Sequence, residues 1–333
     1  MRLLVATNRK SDGVDGAYGA TRTYQMSYQS IAMSIPPGHL TGEIEWPEGA
    51  NGDPARTFVT RDRTGLDETA FRAAVRRQAG KSGEVLVFIH GFNTLYPEAV
   101  FRMAQIGADS NFDGASILFS WPSEGDVTGY LRDRESANFS RDQLERFLLL
   151  LAATPGVRKI NLLAHSMGNW LAVETLRQAK MKGDPEFGGK LGQVILAAPD
   201  IDSQVFQSQI EVIGKRNPPI VVFVSRNDRA LALSGRIYGG IPRVGAVALD
   251  DPKVKAGIDR AGLTVIDLTD VKSADSLNHG AFAQSPPIIQ RIGRQLQGAL
   301  GGEDKPNPGV FVLDAAGMVL DTPGRLLHAV SGR

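Results

Sequence analysis

The chain of 333 residues is 42% hydrophobic and 22% charged, with a formal net charge of +1, which is the composition of an ordinary globular protein. A net charge so close to zero gives no electrostatic reason to expect nucleic acid or an anionic membrane as a partner. Cys is absent, which excludes disulfides, thiolate metal sites and a cysteine nucleophile.

The first apolar run, at 3–6, is too short for the core of a signal peptide or for a membrane span, so it predicts a strand. No later stretch approaches the roughly 18 apolar residues that a spanning helix needs. We therefore expect no membrane span and a cytoplasmic location for the chain as written; an exported or periplasmic location would follow if a leader has been removed. The partly alternating stretch at 23–35 predicts extended edge strands, antiparallel to the rest, within residues 1–80.

Beyond residue 83, short apolar segments alternate with segments of helical spacing. The predicted strands are 84–90, 115–121, 159–164, 194–198, 220–225 and 263–268, and the predicted helices are 96–106, 136–153, 169–180, 204–213, 230–238 and 287–300. This alternation predicts an α/β fold, with a mostly parallel, doubly wound sheet and helices on both faces.

The C-terminal part has a different pattern. A Gly- and Pro-rich cluster at 301–309 predicts a linker or turn, and the apolar segments after it predict a small hairpin. We therefore divide the chain into a catalytic domain over residues 1–300 and a C-terminal extension over residues 301–333.

Ser166 lies in the sequence AHSMG, between a predicted strand and a predicted helix, with small residues two positions away on each side. That context is typical of a nucleophile elbow, in which a strained backbone presents the hydroxyl above the sheet. Ala164 replaces the first Gly of G-x-S-x-G, which makes the match less specific. The structural alternative is a serine that caps the helix.

A serine hydroxyl needs a base, and the base is most often His. In folds with this elbow the triad residues follow in the order Ser, acid, His, so the base must lie after Ser166. Of the five His residues, only His279 and His328 do. We favour His279, because it follows the strand at 263–268, whereas His328 lies in the extension.

Asp228 follows the strand at 220–225 and is our predicted acid, which would orient the imidazole. Its structural alternative is the N-cap of the next helix. Asp200 and Asp202 follow the strand at 194–198 and are the competing acids, because either strand end can bring a carboxylate to the His.

Two backbone amides are predicted to hold the oxyanion. Met167 directly follows the nucleophile, and Phe92 lies in the sequence IHGFN after the strand at 84–90, where Gly91 would permit a sharp turn. His90 and His165 are interpreted as side chains that support these two loops.

Tyr96 and Trp121 follow predicted strands and are candidates to line a substrate pocket. The alternative for both is core packing, and Tyr96 also precedes a Pro at a predicted helix start. The short segments between neighbouring strands leave no room for a large lid domain.

The chain resembles a group of bacterial proteins of the α/β-hydrolase superfamily that are described as hydrolases of unknown function. The motifs that carry the resemblance are ATNR (6–9), SIPPGH (34–39), VFIHGFN (87–93), FSWPSEG (119–125), LLAHSMGN (162–169), APDID (198–202), SRNDRAL (225–231) and LNHGAF (277–282). The resemblance covers roughly residues 1–295. It implies a serine hydrolase with Ser166, Asp228 and His279 as the triad. Members of the group often carry an N-terminal export or anchor segment, and this chain departs from that pattern by starting at its first strand.

The predicted function is a serine carboxylesterase that cleaves a small-molecule acyl ester, without a cofactor. The alternatives are an amidase, a thioesterase or an acyltransferase with the same triad, or a binding protein that has kept the fold and lost the activity. The chain has neither an H-x-x-x-H pair nor Cys, so no metal site is expected. The pattern carries no signal for an oligomeric state.

Overall fold

The structure of the protein is a computed structural model that describes residues 1–13, 17–49, 52–237, 239–271, 275–296, 308–313 and 319–320. The strands are β1 (Arg2–Ser11), β2 (Tyr18–Ser34), β3 (Val59–Leu66), β4 (Glu84–Ile89), β5 (Ala115–Ser120), β6 (Lys159–His165), β7 (Leu191–Ala197), β8 (Val221–Val224), β9 (Thr264–Asp267), β10 (Gly309–Leu313) and β11 (Val319–Leu320). The helices are α1 (Glu68–Ala79), α2 (Tyr96–Asp109), α3 (Tyr130–Phe139), α4 (Arg141–Ala152), α5 (Met167–Met181), α6 (Ser203–Ile213), α7 (Arg229–Ile237), α8 (Pro252–Ala261), α9 (Ala281–Gln284) and α10 (Pro286–Leu296).

The described strands form one sheet in the order β11-β10-β9-β8-β7-β6-β4-β5-β1-β2-β3. Strands β10 to β1 in that order pair in parallel, whereas β2, β3 and β11 pair antiparallel to their neighbours. The predicted α/β fold, with its mostly parallel sheet and antiparallel N-terminal strands, is confirmed. Strand β10 pairs with β9 and β11 pairs with β10, so these two C-terminal strands continue the sheet.

Alternate residues of the central strands enter two different cores. In β4, Val85, Val87 and Ile89 pack on one face, while Leu86 and Phe88 pack on the other. A strand that is buried on both faces has no polar alternation, which is why its sequence is almost continuously apolar. Full burial of each such side chain stabilises the fold by about 1.5–3 kcal/mol.

The predicted helix 136–153 is wrong as a single element, because the chain bends at Ser140 between α3 and α4. The Ser140 hydroxyl donates to the carbonyl of Ser136 and accepts from Asn8 Nδ2 in the buried interior. A side chain that bonds its own backbone competes with the regular helix and bends it.

Helix α8 and strand β3 were not assigned from the sequence. Asp251 caps α8 by accepting from the amide of Lys253, and Gly262 ends the helix in the left-handed conformation. The helix contributes few apolar side chains, so its capping residues were the available signal. The predicted helices 230–238 and 287–300 are confirmed as α7 and α10 up to Ile237 and Leu296; their last residues and the cluster at 301–307 lie outside the described residues.

Two glycines in helices should respond oppositely to alanine. Gly257 in α8 has open space where a Cβ would lie, so Gly257→Ala should raise the free energy of unfolding by about 0.5–1 kcal/mol. A Cβ on Gly293 in α10 would lie 1.8 Å from the carbonyl oxygen of Ser110, so Gly293→Ala should lower it by about 1–3 kcal/mol. Urea denaturation measures both, and two shifts of the same sign would contradict this packing.

Candidate active site

The predicted site residues follow β4, β6, β8 and β9. These strands run parallel within the contiguous order β9-β8-β7-β6-β4, so their carboxyl ends meet at one edge of the sheet. Ligand sites in open α/β sheets form at that edge.

Ser166 occupies a strained turn between β6 and α5. Its φ of 52° and ψ of −123° lie where a residue with a Cβ is rarely found. Three backbone hydrogen bonds hold it there: its amide donates to Ala197 of β7 at 3.0 Å, and its carbonyl accepts from the amides of Asn169 at 3.0 Å and Asp200 at 3.3 Å. The neighbouring strand therefore fixes a conformation that the serine would not adopt alone.

The glycines beside Ser166 allow three segments to approach closely. A Cβ on Gly168 would lie 2.4 Å from the carbonyl oxygen of His90, and a Cβ on Gly91 would lie 2.9 Å from Cβ of Ser166. Gly91 is outside the left-handed region, so the glycine is needed for this close approach and not for the sharp turn expected from the sequence. Ala164 is fully buried in β6, where its methyl group fits.

His279 and Asp228 are joined by a hydrogen bond of 2.6 Å between Nδ1 and Oδ2. The other carboxylate oxygen of Asp228 accepts from the amide of Leu231, so the aspartate also caps α7. The Asp228 side chain is 1% exposed and the His279 side chain 17% exposed, which leaves the ring open on one side.

Asp275 orders the loop that carries His279, and sequence reasoning missed it. Its carboxylate accepts from the amides of Leu277 and His279 at 2.9 and 3.0 Å and from the amide of Gly280 at 2.7 Å. The available signal was an Asp followed by a short polar turn, which is typical of a side chain that bonds the backbone a few residues on.

The electrostatics of the two neighbouring histidines differ. Burial lowers the pKa of His279, but the hydrogen bond and charge of Asp228, with the charges of Asp200 and Asp275, outweigh it, so the pKa is raised above its ordinary value of 6.5. Burial and the nearby His279 hold the pKa of His165 well below 6.5. His165 is therefore neutral at pH 7.

His165, the residue directly before Ser166, contacts His279. The rings of His165 and His279 are 4.6 Å apart between centroids, and Nε2 of His165 lies 3.2 Å from the carbonyl oxygen of His279. Among the described residues, no hydrogen bond joins Oγ of Ser166 to the His279 ring. His328 lies outside the described residues.

The competing acids have other partners. Asp200 accepts from the hydroxyls of Tyr130 and Ser234 and lies 3.3 Å from Nε of Arg243, in a buried ion pair. Asp202 caps α6 by accepting from the amide of Gln204. Of the three carboxylates, Asp228 is the one bonded to His279.

The two predicted oxyanion donors are the residue directly after Ser166 and a residue of the loop that packs against Ser166. Met167 is the first residue of α5, and Phe92 lies in the loop between β4 and α2. In the part of the chain that the structure describes, neither amide donates to a protein acceptor. Amides at the start of a helix are free to bind an anion, because they have no carbonyl one turn before them.

The Phe92 loop is held by Arg9 and Asp133, which sequence reasoning also missed. The buried guanidinium of Arg9 donates to the carbonyls of Thr94 and Ser123 at 2.9 and 2.8 Å. Asp133 accepts from the amide of Asn93 at 3.2 Å. The available signals were the place of Arg9 in the ATNR motif and its position in the strand that begins with the apolar run at 3–6.

Tyr96 and Trp121 are both buried, as the core-packing alternative expects, and their role in lining a pocket stays a prediction. Trp121 is fully buried, stacks on His90 at 5.0 Å and donates from Nε1 to the His90 carbonyl. Tyr96 is 2% exposed and donates its hydroxyl to Gln29 Oε1 at 2.6 Å. Trp121 therefore holds His90 at the start of the loop, and Tyr96 joins the start of α2 to β2.

A cleft lies away from the predicted site residues. It has a volume of about 750 Å³ and is lined by α6, α8 and the apolar side chains of β8 and β9. Ser166, Asp228 and His279 do not line it. Within the described ranges, no three His, Asp or Glu side chains are arranged to hold a metal, and no helix has the length and apolarity to span a bilayer.

The family follows from the sequence match. A family model described as alpha/beta hydrolase of unknown function (DUF900) matches residues 67–296. The chain belongs to this family. The resemblance and the fold predicted from the motifs are thereby confirmed, and the protein is assigned at the coarse level as an α/β hydrolase.

Similar solved structures are distant. Aspergillus fumigatus lipase B is 12% identical over 70% of this chain and 55% of its own, with a TM-score of 0.39. A lipase-esterase related protein from Clostridium acetobutylicum is 13% identical over 69% of this chain and 85% of its own, with a TM-score of 0.29. Phospholipase PlaB from Legionella pneumophila is 12% identical over 64% of this chain and 59% of its own, with a TM-score of 0.34. No curated protein matches the chain.

Asp228 should control the protonation of His279. Removal of its charge in Asp228→Asn should lower the pKa of His279, because the imidazolium loses the carboxylate that stabilises it. NMR titration of the His ring protons measures this, with His279→Gln to assign the signal. Asp62→Asn, which changes an exposed carboxylate on β3, is the matched control and should leave the pKa unchanged. An unchanged pKa in Asp228→Asn would contradict the pairing.

Proposed function

We propose that the protein is a serine hydrolase that cleaves carboxylic esters through an acyl-enzyme on Ser166. The observation that carries the proposal is the 2.6 Å contact of Asp228 with His279, at the sheet edge where Ser166 holds a φ of 52°. A buried acid on a histidine, beside a serine in a strained strand-to-helix turn, is the arrangement that activates a hydroxyl.

In the first half of the reaction, Oγ of Ser166 attacks the ester carbonyl while Nε2 of His279 takes its proton. Asp228 keeps the other ring nitrogen, Nδ1, protonated, so that the lone pair of Nε2 is available. The imidazolium then gives the proton to the departing alcohol. Water then attacks the acyl carbon as Nε2 takes its proton; the bond from this carbon to Oγ breaks, the imidazolium returns the proton to Oγ, and the carboxylic acid leaves.

The amides of Phe92 and Met167 are suited to stabilise the oxyanion of the tetrahedral intermediate. Met167 begins α5, so the positive end of the helix dipole adds to the field at this point. Arg9 and Asp133 hold the Phe92 loop from behind, so its amide does not need to reorganise as charge develops.

We expect the hydrogen bond from Oγ of Ser166 to the His279 ring to form when substrate binds. Such bonds are often long in the free enzyme and tighten when substrate binds. The loop of His279 is anchored by Asp275 and by the contact with His165, so we assign the adjustment to the side chains and not to the backbone.

Amidase, thioesterase and acyltransferase activities pass through the same acyl-enzyme. A panel of ester, amide and thioester donors, each with and without an added alcohol acceptor, separates them. We expect turnover of the esters to exceed that of the matched amides.

Ser166→Ala should abolish hydrolysis of p-nitrophenyl butyrate, with a fall in kcat of about 10⁴-fold or more, because the nucleophile is lost. Ser208→Ala, which removes an exposed hydroxyl on α6, is the matched control and should keep wild-type turnover. Wild-type turnover by Ser166→Ala would refute the proposal. A wild-type protein that fails to react with a fluorophosphonate probe would favour the binding-protein alternative.

The two buried aspartates should differ in their effect on catalysis. Asp228→Asn should lower kcat by about 10⁴-fold, because the His279 tautomer and its cation lose their support. Asp200→Asn should reduce stability, since it leaves Arg243 in a buried position without its acid, while the folded fraction keeps a much larger share of kcat. Turnover normalised to active sites distinguishes the two. The opposite order of effects would make Asp200 the acid.

A further inference from the structure

Six exposed apolar side chains lie on segments that follow the carboxyl ends of the strands around Ser166. They are Leu95 (46% exposed), Val127 (71%), Leu131 (62%), Leu233 (60%), Ile237 (55%) and Leu277 (49%), and we call them the apolar rim. The segments follow β4, β5, β8 and β9. Single exposed apolar residues are ordinary, whereas a contiguous group marks an interaction surface.

On the side of the Phe92 loop, contacts between the segments place the parts of the chain that carry the rim next to one another. Gly125 packs so closely under Leu95 that a Cβ there would lie 2.4 Å from Cδ2 of the leucine. The ring of Phe92 contacts the ring of Tyr130 edge-on at 5.1 Å, and Leu131 follows in α3. The rim therefore begins directly beside a proposed oxyanion donor.

On the other side, α7 joins α3 to the His279 loop. The hydroxyl of Tyr130 lies 3.2 Å from Oγ of Ser234, which is next to Leu233 in α7. The amide of Arg229, at the start of α7, donates to the carbonyl of Leu277 at 2.9 Å. The six side chains thus belong to adjoining segments that border Asp228 and His279.

The outward face of α7 combines apolar and basic side chains. Its exposed residues are Arg229, Ala232, Leu233, Arg236 and Ile237, and the helix contains no acidic residue. A helix that faces water usually carries both signs of charge, whereas Arg beside Leu and Ile is the pattern of helices that lie at a lipid interface.

Acidic side chains do lie on the Phe92-loop side of the rim, where Glu98 and Glu135 are exposed beside Leu95 and Leu131. Glu124 forms an ion pair with Arg132, and the carboxylate of Asp126 accepts from the amide and hydroxyl of Thr128. The excess of positive charge is therefore confined to α7, which carries Arg229 and Arg236 without an acidic residue.

We propose that the apolar rim docks on an anionic lipid surface and that the substrate is a water-insoluble acyl ester held in that surface. Leucine and isoleucine would enter the headgroup region, and Arg229 and Arg236 would meet the lipid phosphates. A water-soluble ester would not need such a rim. The choice of substrate rests on the proposed function, whereas the docking does not.

The test is co-sedimentation with large vesicles of phosphatidylcholine and phosphatidylglycerol, and with vesicles of phosphatidylcholine alone. The protein should bind the anionic vesicles more tightly, and L233Q/I237Q should weaken that binding by about tenfold or more. The matched control is L149Q/M181Q, which changes two exposed apolar side chains at the ends of α4 and α5, away from the site. Thermal unfolding shows that each variant is folded.

Absence of binding by the wild-type protein, or equal loss in both double variants, overturns the docking. A dimer in sedimentation velocity that L233Q/I237Q dissociates, without vesicle binding, also overturns it and makes the rim a contact between copies. Ser166→Ala should bind vesicles like the wild type. If vesicle binding is retained but the fluorophosphonate probe does not react, the docking stands and the substrate assignment falls with the proposed function.

Discussion

The site depends on one backbone constraint, the left-handed conformation of Ser166 where β6 passes into α5. The turn is stable because Ala197 of the next strand accepts its amide and because Gly168 and Gly91 let the β4 loop press against it. Strain of this kind costs about 1–3 kcal/mol and persists only where the surroundings over-determine it. The same crowding that enforces the turn sets the distance between the hydroxyl and the Phe92 loop.

Two buried charged side chains, Asp228 and Arg9, hold the segments around Ser166 in place. Asp228 serves both α7, as its cap, and the His279 ring, so the helix and the histidine are fixed by one carboxylate. Arg9 ties together the loops after β4 and β5, and burial lowers its pKa to about 10, which still leaves it charged at neutral pH. The proposed chemistry is therefore held by side chains that would not themselves contact substrate.

Local sequence signals were sufficient for the sheet and for the elbow at Ser166, because strand periodicity and small flanking residues act over a few positions. Local signals of this kind could not identify which aspartate pairs with His279. Asp228 and Asp200 both follow parallel strands, and they are separated by their partners: Asp228 bonds His279, whereas Asp200 bonds Tyr130 and pairs with Arg243. The position of Trp121 could not be predicted locally either, because it depends on stacking against His90, which follows another strand.

The most direct test of the account is where a covalent serine probe attaches, and how that depends on pH. Mass spectrometry of the fluorophosphonate-treated protein should place one adduct on Ser166, and the labelling rate should rise with pH through the raised pKa of His279. Protonation of the base below that pKa removes its ability to accept the serine proton. An adduct on another serine, or a rate independent of pH from 5 to 9, would contradict the central claim that His279 activates Ser166.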